Sequence, residues 1–155
     1  MNFNYSNMNR ACVKYTAFLG LFAGMVLMSS CDKDRDYDEI PFAYVDFYIN
    51  PNSTIYWELN SPNGWIYLVA NSPSRGILVY RDLNDQFLAY ERTCAHDPLV
   101  DEARIEVEAS SITAACPSCK TKYILLDGYP FEGPGKRPLK RYQTSYNGNT
   151  LHIYN

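Results

Sequence analysis

The sequence lacks any stretch rich in lysine and arginine, and its acidic residues outnumber its basic ones. It holds 17 aspartates and glutamates against 14 lysines and arginines in 155 residues, for a formal net charge of −3. Nucleic-acid binding requires positive charge clustered along a face or groove, so we exclude nucleic acid as a partner. Histidine is also scarce, with two in the whole chain, which excludes sites that need several imidazole ligands.

A long hydrophobic run is missing as well. The longest apolar stretch, residues 15–28, is interrupted by a threonine and two glycines, and it is shorter than the ~20 residues that span a bilayer. Arg10 and Lys14 precede or flank it. A basic flank followed by a short apolar segment is typical of a secretory signal peptide. We therefore predict that residues 1–30 are a signal peptide.

Cys31 directly follows two small residues, Ser29 and Ser30. This junction resembles a bacterial lipobox, in which the signal peptide is cut before a cysteine that carries lipid. The resemblance implies that Cys31 anchors the protein to a bacterial membrane, which we expect to be the outer membrane, with the domain outside the cytoplasm. Residues 31–41 are rich in aspartate and form an acidic tether. The alternative is an ordinary secretory peptide followed by a chance cysteine.

From residue 42 onward the sequence indicates short β-strands separated by turns. Runs rich in Tyr, Ile, Val and Phe end at Pro, Gly, Asn or Asp, as strands do. The clearest pair is a terminal hairpin, in which Asn147-Gly148 favours a tight turn. Residues 101–109 fit a helix or a strand equally well. We predict an all-β domain over residues 42–155, with strands at 42–49, 54–59, 65–70, 76–80, 87–91, 140–146 and 150–154.

Three cysteines and one histidine of this domain fall into two predicted loops. Cys94 and His96 form a Cys-x-His motif, and Cys116 and Cys119 form a Cys-x-x-Cys motif. Thiolates and imidazole are soft or borderline ligands, and two short loops can converge on one metal centre. Three thiols cannot all pair as internal disulfides. The four residues are therefore candidate metal ligands.

The two loops resemble those of the Rieske iron–sulfur family, which carry Cys-x-His and Cys-x-x-His. The resemblance includes the Gly- and Pro-containing segment 131–139 and the terminal hairpin. It implies an antiparallel β-sandwich with a small two-loop metal-binding subdomain, which holds a [2Fe–2S] cluster. The ligands that it implies are Cys94, His96, Cys116 and Cys119. It also implies that hydroxyl groups hydrogen-bond to the sulfur atoms from Thr121 and Tyr123.

The sequence departs from that family in its second loop. Cys119 stands where the family has its second histidine, and Lys120 stands where glycine is usual. The segment around Arg10 also lacks the paired arginines of twin-arginine export, so the chain would cross the membrane unfolded. Three occupants of the site therefore stay open: a [2Fe–2S] cluster with three thiolates and one imidazole, a Cys₃His zinc ion, or no metal.

The leading prediction is a membrane-anchored one-electron carrier with a redox protein as its partner. The alternative is a surface lipoprotein that uses a degenerate Rieske fold for binding or structure. We expect no independent catalytic activity, because the chain has no room for a second catalytic domain and too few histidines for a second iron site.

Overall fold

The computed structural model describes residues 39–155, which are almost entirely β-structure. The predicted signal peptide and residues 31–38 of the predicted tether, with Cys31, lie outside the described residues. Within the described part there are ten strands and one short 3₁₀ helix. In chain order they are β1 Asp46–Ile49, the 3₁₀ helix Thr54–Asn60, β2 Trp65–Leu68, β3 Ile77–Arg81, β4 Phe87–Glu91, β5 Glu106–Val107, β6 Thr113–Ala115, β7 Lys122–Ile124, β8 Pro130–Glu132, β9 Arg141–Tyr146 and β10 Leu151–Tyr154. The predicted all-β class is confirmed.

Six strands form an antiparallel sheet in the order β1-β10-β9-β4-β3-β2. Its last two strands are the predicted terminal hairpin. The side chain of Asn147 accepts hydrogen bonds from the backbone N–H groups of Asn149 and Thr150, at 3.0 and 2.8 Å. Gly148 has a φ of 93°, a conformation that suits glycine because it has no Cβ.

The other four strands form a smaller antiparallel sheet in the order β5-β6-β7-β8. Each has only two or three residues. In the chain this small sheet lies between β4 and β9, which pair directly in the larger sheet. The small sheet and its loops are therefore one excursion from the large sheet. They match the predicted two-loop subdomain.

The central strands β3 and β4 are buried on both faces, so that their alternate side chains enter two different cores. Ile77 and Val79 point into the first core, and Leu78 and Tyr80 point into the second. The first core also contains Val45, Ile49, Leu59, Ile66, Leu68, Phe87, Ala89, Tyr142, Leu151 and Ile153. The second core joins the small sheet to the large one through Leu88, Tyr90, Cys94, Ala103, Ile105, Ala114, Cys116, Tyr123, Leu125 and Leu139.

The structure corrects one local prediction and decides another. Residues 54–59, predicted as a strand, lie in the 3₁₀ helix Thr54–Asn60. Tyr56 kinks this helix, because its backbone angles are not helical (φ −116°, ψ 36°), and both Tyr56 and Leu59 contact the first core. The ambiguous segment 101–109 contains the strand Glu106–Val107 and no helix.

Among residues 39–155, no helix is long and apolar enough to cross a membrane.

Candidate metal centre

The two predicted ligand loops are each closed by backbone hydrogen bonds. The first follows β4, where the N–H of Cys94 donates to the carbonyl of Ala103 at 2.9 Å. The second connects β6 and β7, where the N–H of Cys116 donates to the carbonyl of Thr121 at 2.9 Å. Because both loops begin at strand ends, the sheets determine where the first cysteine of each loop lies.

Lys120 takes the left-handed backbone conformation, with a φ of 63°. Glycine is the residue that normally adopts this conformation without strain. Here the lysine side chain closes the turn, because its Nζ donates to the carbonyl of Pro117 at 2.6 Å. The backbone N–H of Lys120 also donates to the carbonyl of Cys116 at 2.9 Å. The second loop therefore keeps its turn although it lacks the glycine.

The three cysteines come together in the structure. Their Sγ atoms all lie within 4.8 Å of one another, and the Sγ atoms of Cys94 and Cys119 are 3.6 Å apart. Two sulfur atoms bound tetrahedrally to one ion at ~2.3 Å are about 3.8 Å apart. Cys94 and Cys116 are fully buried, and Cys119 is partly exposed. The donor set and its spacing therefore fit a thiolate-ligated metal.

Thr121 and Tyr123 both place a hydroxyl group beside this cluster of thiols, and both are fully buried. Cys119 Sγ donates to Thr121 Oγ1 at 3.2 Å, and the Tyr123 hydroxyl lies 3.9 Å from Cys94 Sγ. Thr121 Oγ1 also accepts from the N–H of Gly135 at 2.9 Å. A Cβ on Gly135 would lie 2.7 Å from Thr121 Cγ2, so glycine allows segment 131–139 to cover this residue closely.

His96 lies in the same loop as Cys94 but outside the group of sulfur atoms that are within 4.8 Å of one another. Its ring is partly exposed, and its Nε2 is 3.8 Å from Asp97 Oδ1. The structure therefore brings three of the four predicted ligands together. The role of His96 as a ligand stays a prediction.

The pKa values of the two buried thiols are shifted in opposite directions. A hydrogen bond from Cys116 lowers the pKa of Cys94 to about 5, assisted by the backbone N–H groups of Asp97 and His96, although burial alone would raise it. The same contact and burial raise the pKa of Cys116. Burial, together with the charge on Cys94, raises the pKa of Tyr123. These contacts favour the thiolate form of Cys94 over that of Cys116, and thiolate is the form that binds metals.

One buried carboxylate, for which no local sequence pattern is a signal, holds the first loop in place. Glu91, the last residue of β4, is 1% exposed. It accepts hydrogen bonds from the N–H of Arg75 at 3.0 Å, the N–H and hydroxyl of Thr93 at 2.9 and 2.8 Å, and the hydroxyl of Tyr142 at 2.6 Å. Since Thr93 precedes Cys94, Glu91 ties the cysteine to β9 and to the turn before β3.

Comparison with known proteins identifies the architecture. No protein-family model matches the chain, and no curated protein matches it. Among solved structures, the plasma-membrane Rieske protein of the cyanobacterium Synechocystis PCC 6803 matches with a TM-score of 0.52 and 19% identity, over 69% of this chain and 99% of that one. A quaternary ammonium Rieske monooxygenase matches with a TM-score of 0.50 and 12% identity, over 75% of this chain and 32% of that one.

These matches agree with the fold that the sequence motifs suggest. The two ligand loops of this chain converge, and three thiols meet between them. At such low identities the likeness concerns architecture alone, and on that basis we conclude that this chain is a protein of the Rieske fold.

Proposed function

We propose that the protein binds a [2Fe–2S] cluster through Cys94, His96, Cys116 and Cys119 and carries single electrons. The observation that supports this proposal most directly is the grouping of three thiols within 4.8 Å at the two-loop site of a Rieske fold. A [2Fe–2S] cluster supplies reversible one-electron chemistry when it is bound. We expect no other catalytic activity.

The residues of the site would control the cluster in three ways. Burial of Cys94 and Cys116 keeps water away from two ligands. The hydroxyl groups of Thr121 and Tyr123, which lie near sulfur, can donate hydrogen bonds that stabilise negative charge there. A third thiolate adds one negative charge relative to a two-histidine site, so the potential should lie below the usual Rieske range of about −150 to +300 mV.

Removing one thiol tests the ligand assignment. Protein purified from its native host should be red-brown and contain iron and sulfide, and Cys94→Ala should lose most of the metal. Ser118→Ala is the matched control, because Ser118 is exposed in the second loop and is not a predicted ligand. Unchanged metal content in Cys94→Ala would contradict the assignment.

Replacing Cys119 with histidine tests the three-thiolate set. Cys119→His removes one negative charge, so the reduction potential of the bound cluster should rise. The new imidazole can also titrate, so the potential should depend more strongly on pH. Protein-film voltammetry on both forms measures these changes. A histidine variant that binds a cluster at the same or a lower potential would show that Cys119 is not an iron ligand.

Zinc is the second candidate, and the sulfur spacing favours it. The 3.6 Å between the Sγ atoms of Cys94 and Cys119 suits two ligands of one tetrahedral ion. A zinc site would give a colourless protein with one equivalent of zinc and no sulfide. Metal analysis of protein from the native host therefore separates a structural lipoprotein from an electron carrier.

We further propose that lipid on Cys31 holds the domain at a bacterial membrane, expected to be the outer membrane, where it exchanges electrons with a redox protein. The order of basic flank, apolar segment and Ser-Ser-Cys in the sequence supports this proposal. Two or three acyl chains give stable anchoring, since each buried CH₂ contributes about 0.8 kcal/mol. Mass spectrometry should find an acylated Cys31 at the mature N-terminus, and an unmodified N-terminus elsewhere would contradict it.

A further inference from the structure

Both tryptophans of the chain line one cavity at the edge of the large sheet. Trp57 comes from the 3₁₀ helix and Trp65 begins the edge strand β2, and the cavity between them has a volume of about 680 Å³. We call this cavity the tryptophan groove. Its volume is in the range of small-molecule sites, about 300–1,000 Å³. None of the predicted metal-site residues line it.

Two apolar side chains that line the groove are exposed to solvent. Trp57 is 66% exposed, and its neighbour Ile55 is 77% exposed. Exposed apolar side chains that occur together, rimmed by polar groups, are typical of binding surfaces. Ile55 and Trp57 do not pack in the first core, because Tyr56 and Leu59 are the residues of this helix that contact that core.

The residues that follow Trp57 anchor its helix to the large sheet. The carbonyl of Leu59 accepts a hydrogen bond from Arg81 Nη1 at 2.9 Å, and Leu59 itself is fully buried. The following turn packs so closely that a Cβ on Gly64 would lie 1.8 Å from the carbonyl oxygen of Glu58. Anchoring of this segment reduces the conformational entropy that is lost when a ligand binds to its side chains.

The polar lining indicates what kind of ligand fits. Glu58 contributes a carboxylate, Asn63 an amide, and Ser61 and Ser111 hydroxyl groups. The Tyr80 hydroxyl donates to Asn63 Oδ1 at 2.6 Å, which fixes the orientation of the amide. Among the described residues that line the groove there is no lysine or arginine. An anionic ligand would therefore meet the Glu58 carboxylate without a compensating cation.

We propose that the tryptophan groove binds neutral pyranose units of an oligosaccharide. A pyranose ring has apolar C–H faces that stack on indole rings and hydroxyl groups that pair with carboxylate, amide and serine groups. A purely apolar ligand would bury the polar lining without partners, which costs free energy. A quaternary ammonium ligand would leave the amide and the serines unused. This proposal does not depend on which metal the protein holds.

The two tryptophans are also the probe for the test. Full-length protein, purified in a detergent that is not a glycoside, is titrated with cellohexaose, maltohexaose, xylohexaose and mannohexaose while intrinsic fluorescence is recorded. We expect a saturable change with at least one of these neutral sugars and none with choline or with a galacturonate hexamer. Calorimetry repeats the titration independently of the fluorophores.

Three variants locate the binding site. Trp57→Ala should weaken binding at least about tenfold by calorimetry, the equivalent of about 1.4 kcal/mol, and Glu58→Ala should weaken it as well. Phe42→Ala is the matched control, because the exposure of Phe42, 73%, is similar to that of Trp57, but Phe42 does not line the groove. The proposal is overturned if no neutral sugar binds, if choline alone binds, or if Trp57→Ala and Phe42→Ala bind equally.

Discussion

The two sheets of this protein are built by different means. The large sheet has strands of four to six residues, and its core is aliphatic and aromatic with a single tyrosine, Tyr142, among the fully buried members. The small sheet has strands of two or three residues, and its core includes Tyr80, Tyr90, Tyr123 and two cysteines.

The difference shows where each region obtains its stability. Apolar burial contributes roughly 25 cal/mol per Å² and suffices for the long, regular strands. Short strands supply few ladder hydrogen bonds, so the small sheet relies on buried hydroxyls. An example is the Tyr90 hydroxyl, which donates to the carbonyl of Leu125 at 3.0 Å. A metal shared by the two loops would add to these contacts. We therefore expect the small sheet to depend on its ligand and the large sheet to be independent of it.

The sharpest test of this contrast uses two adjacent residues of β3. Ile77 and Leu78 are both fully buried but enter different cores. Replacement of either by alanine should lower the free energy of unfolding by about 2–5 kcal/mol, because each leaves a cavity. Only Leu78→Ala should also speed metal release, since its core contains Cys94 and Cys116. Urea unfolding and metal release are measured on both variants. Metal release from Ile77→Ala as fast as from Leu78→Ala would contradict the contrast.

The next largest effect is expected at Glu91, which connects the two regions. Glu91→Gln replaces one acceptor oxygen with an NH₂ group that faces donors from Arg75, Thr93 or Tyr142. We expect a loss of about 2–3 kcal/mol by chemical denaturation. Tyr142→Phe removes one donor and keeps the ring, so it should cost less, about 1.5 kcal/mol. Equal losses in the two variants would show that the carboxylate has no role beyond this one bond.

The stability of the protein at low pH should also depend on the Glu91 carboxylate. Burial alone would raise the pKa of Glu91, but hydrogen bonds from Ser74, Tyr142 and Thr93 outweigh it and lower the pKa below its ordinary value of 4.5. A lowered pKa in the folded state stabilises the protein above the unfolded pKa, and this stability is lost as pH falls through the folded pKa. The free energy of unfolding should therefore decrease below about pH 4.5, and less steeply in Glu91→Gln. Parallel pH profiles would contradict this role.

The smallest effect is expected at the terminal hairpin of the large sheet. Gly148→Ala places a Cβ in open space, with nothing within 4 Å, so the cost arises only from the positive φ. We expect a loss of about 1 kcal/mol in thermal or urea unfolding, with metal content unchanged. A change in metal content would show that the hairpin and the site are coupled.

Local patterns allowed much of this structure to be predicted. The terminal hairpin followed from Asn147-Gly148 between two β-rich runs. The convergence of the two cysteine loops was expected from their motifs and from the resemblance to the Rieske family. Residues 54–59 were misassigned because loose alternation in six residues also contains the three-residue spacing of Tyr56 and Leu59. A short segment on its own does not decide between these two periods.

Contacts between distant parts of the chain were beyond prediction from local patterns. Glu91 is the last residue of an apolar strand, and a charged residue at a strand end is normally expected to be exposed to solvent. Its partners Arg75 and Tyr142 lie 16 and 51 residues away, so its burial depends on the assembled sheet. The tryptophan groove has the same origin, because the 3₁₀ helix, β2 and Ser111 meet only after folding.

The pairing of β4 with β9 has a consequence for how the metal-site region can be exchanged. Tyr90 and Arg141 are direct partners in antiparallel strands, so everything between them leaves and returns at one point, like an enlarged hairpin loop. Two antiparallel strands can be joined by a two-residue turn. A deletion that joins them in this way should leave a foldable minidomain only if Leu78, Tyr80 and Leu88, which the excursion covers, are made polar. Other metal-binding loops could then be inserted at the same junction.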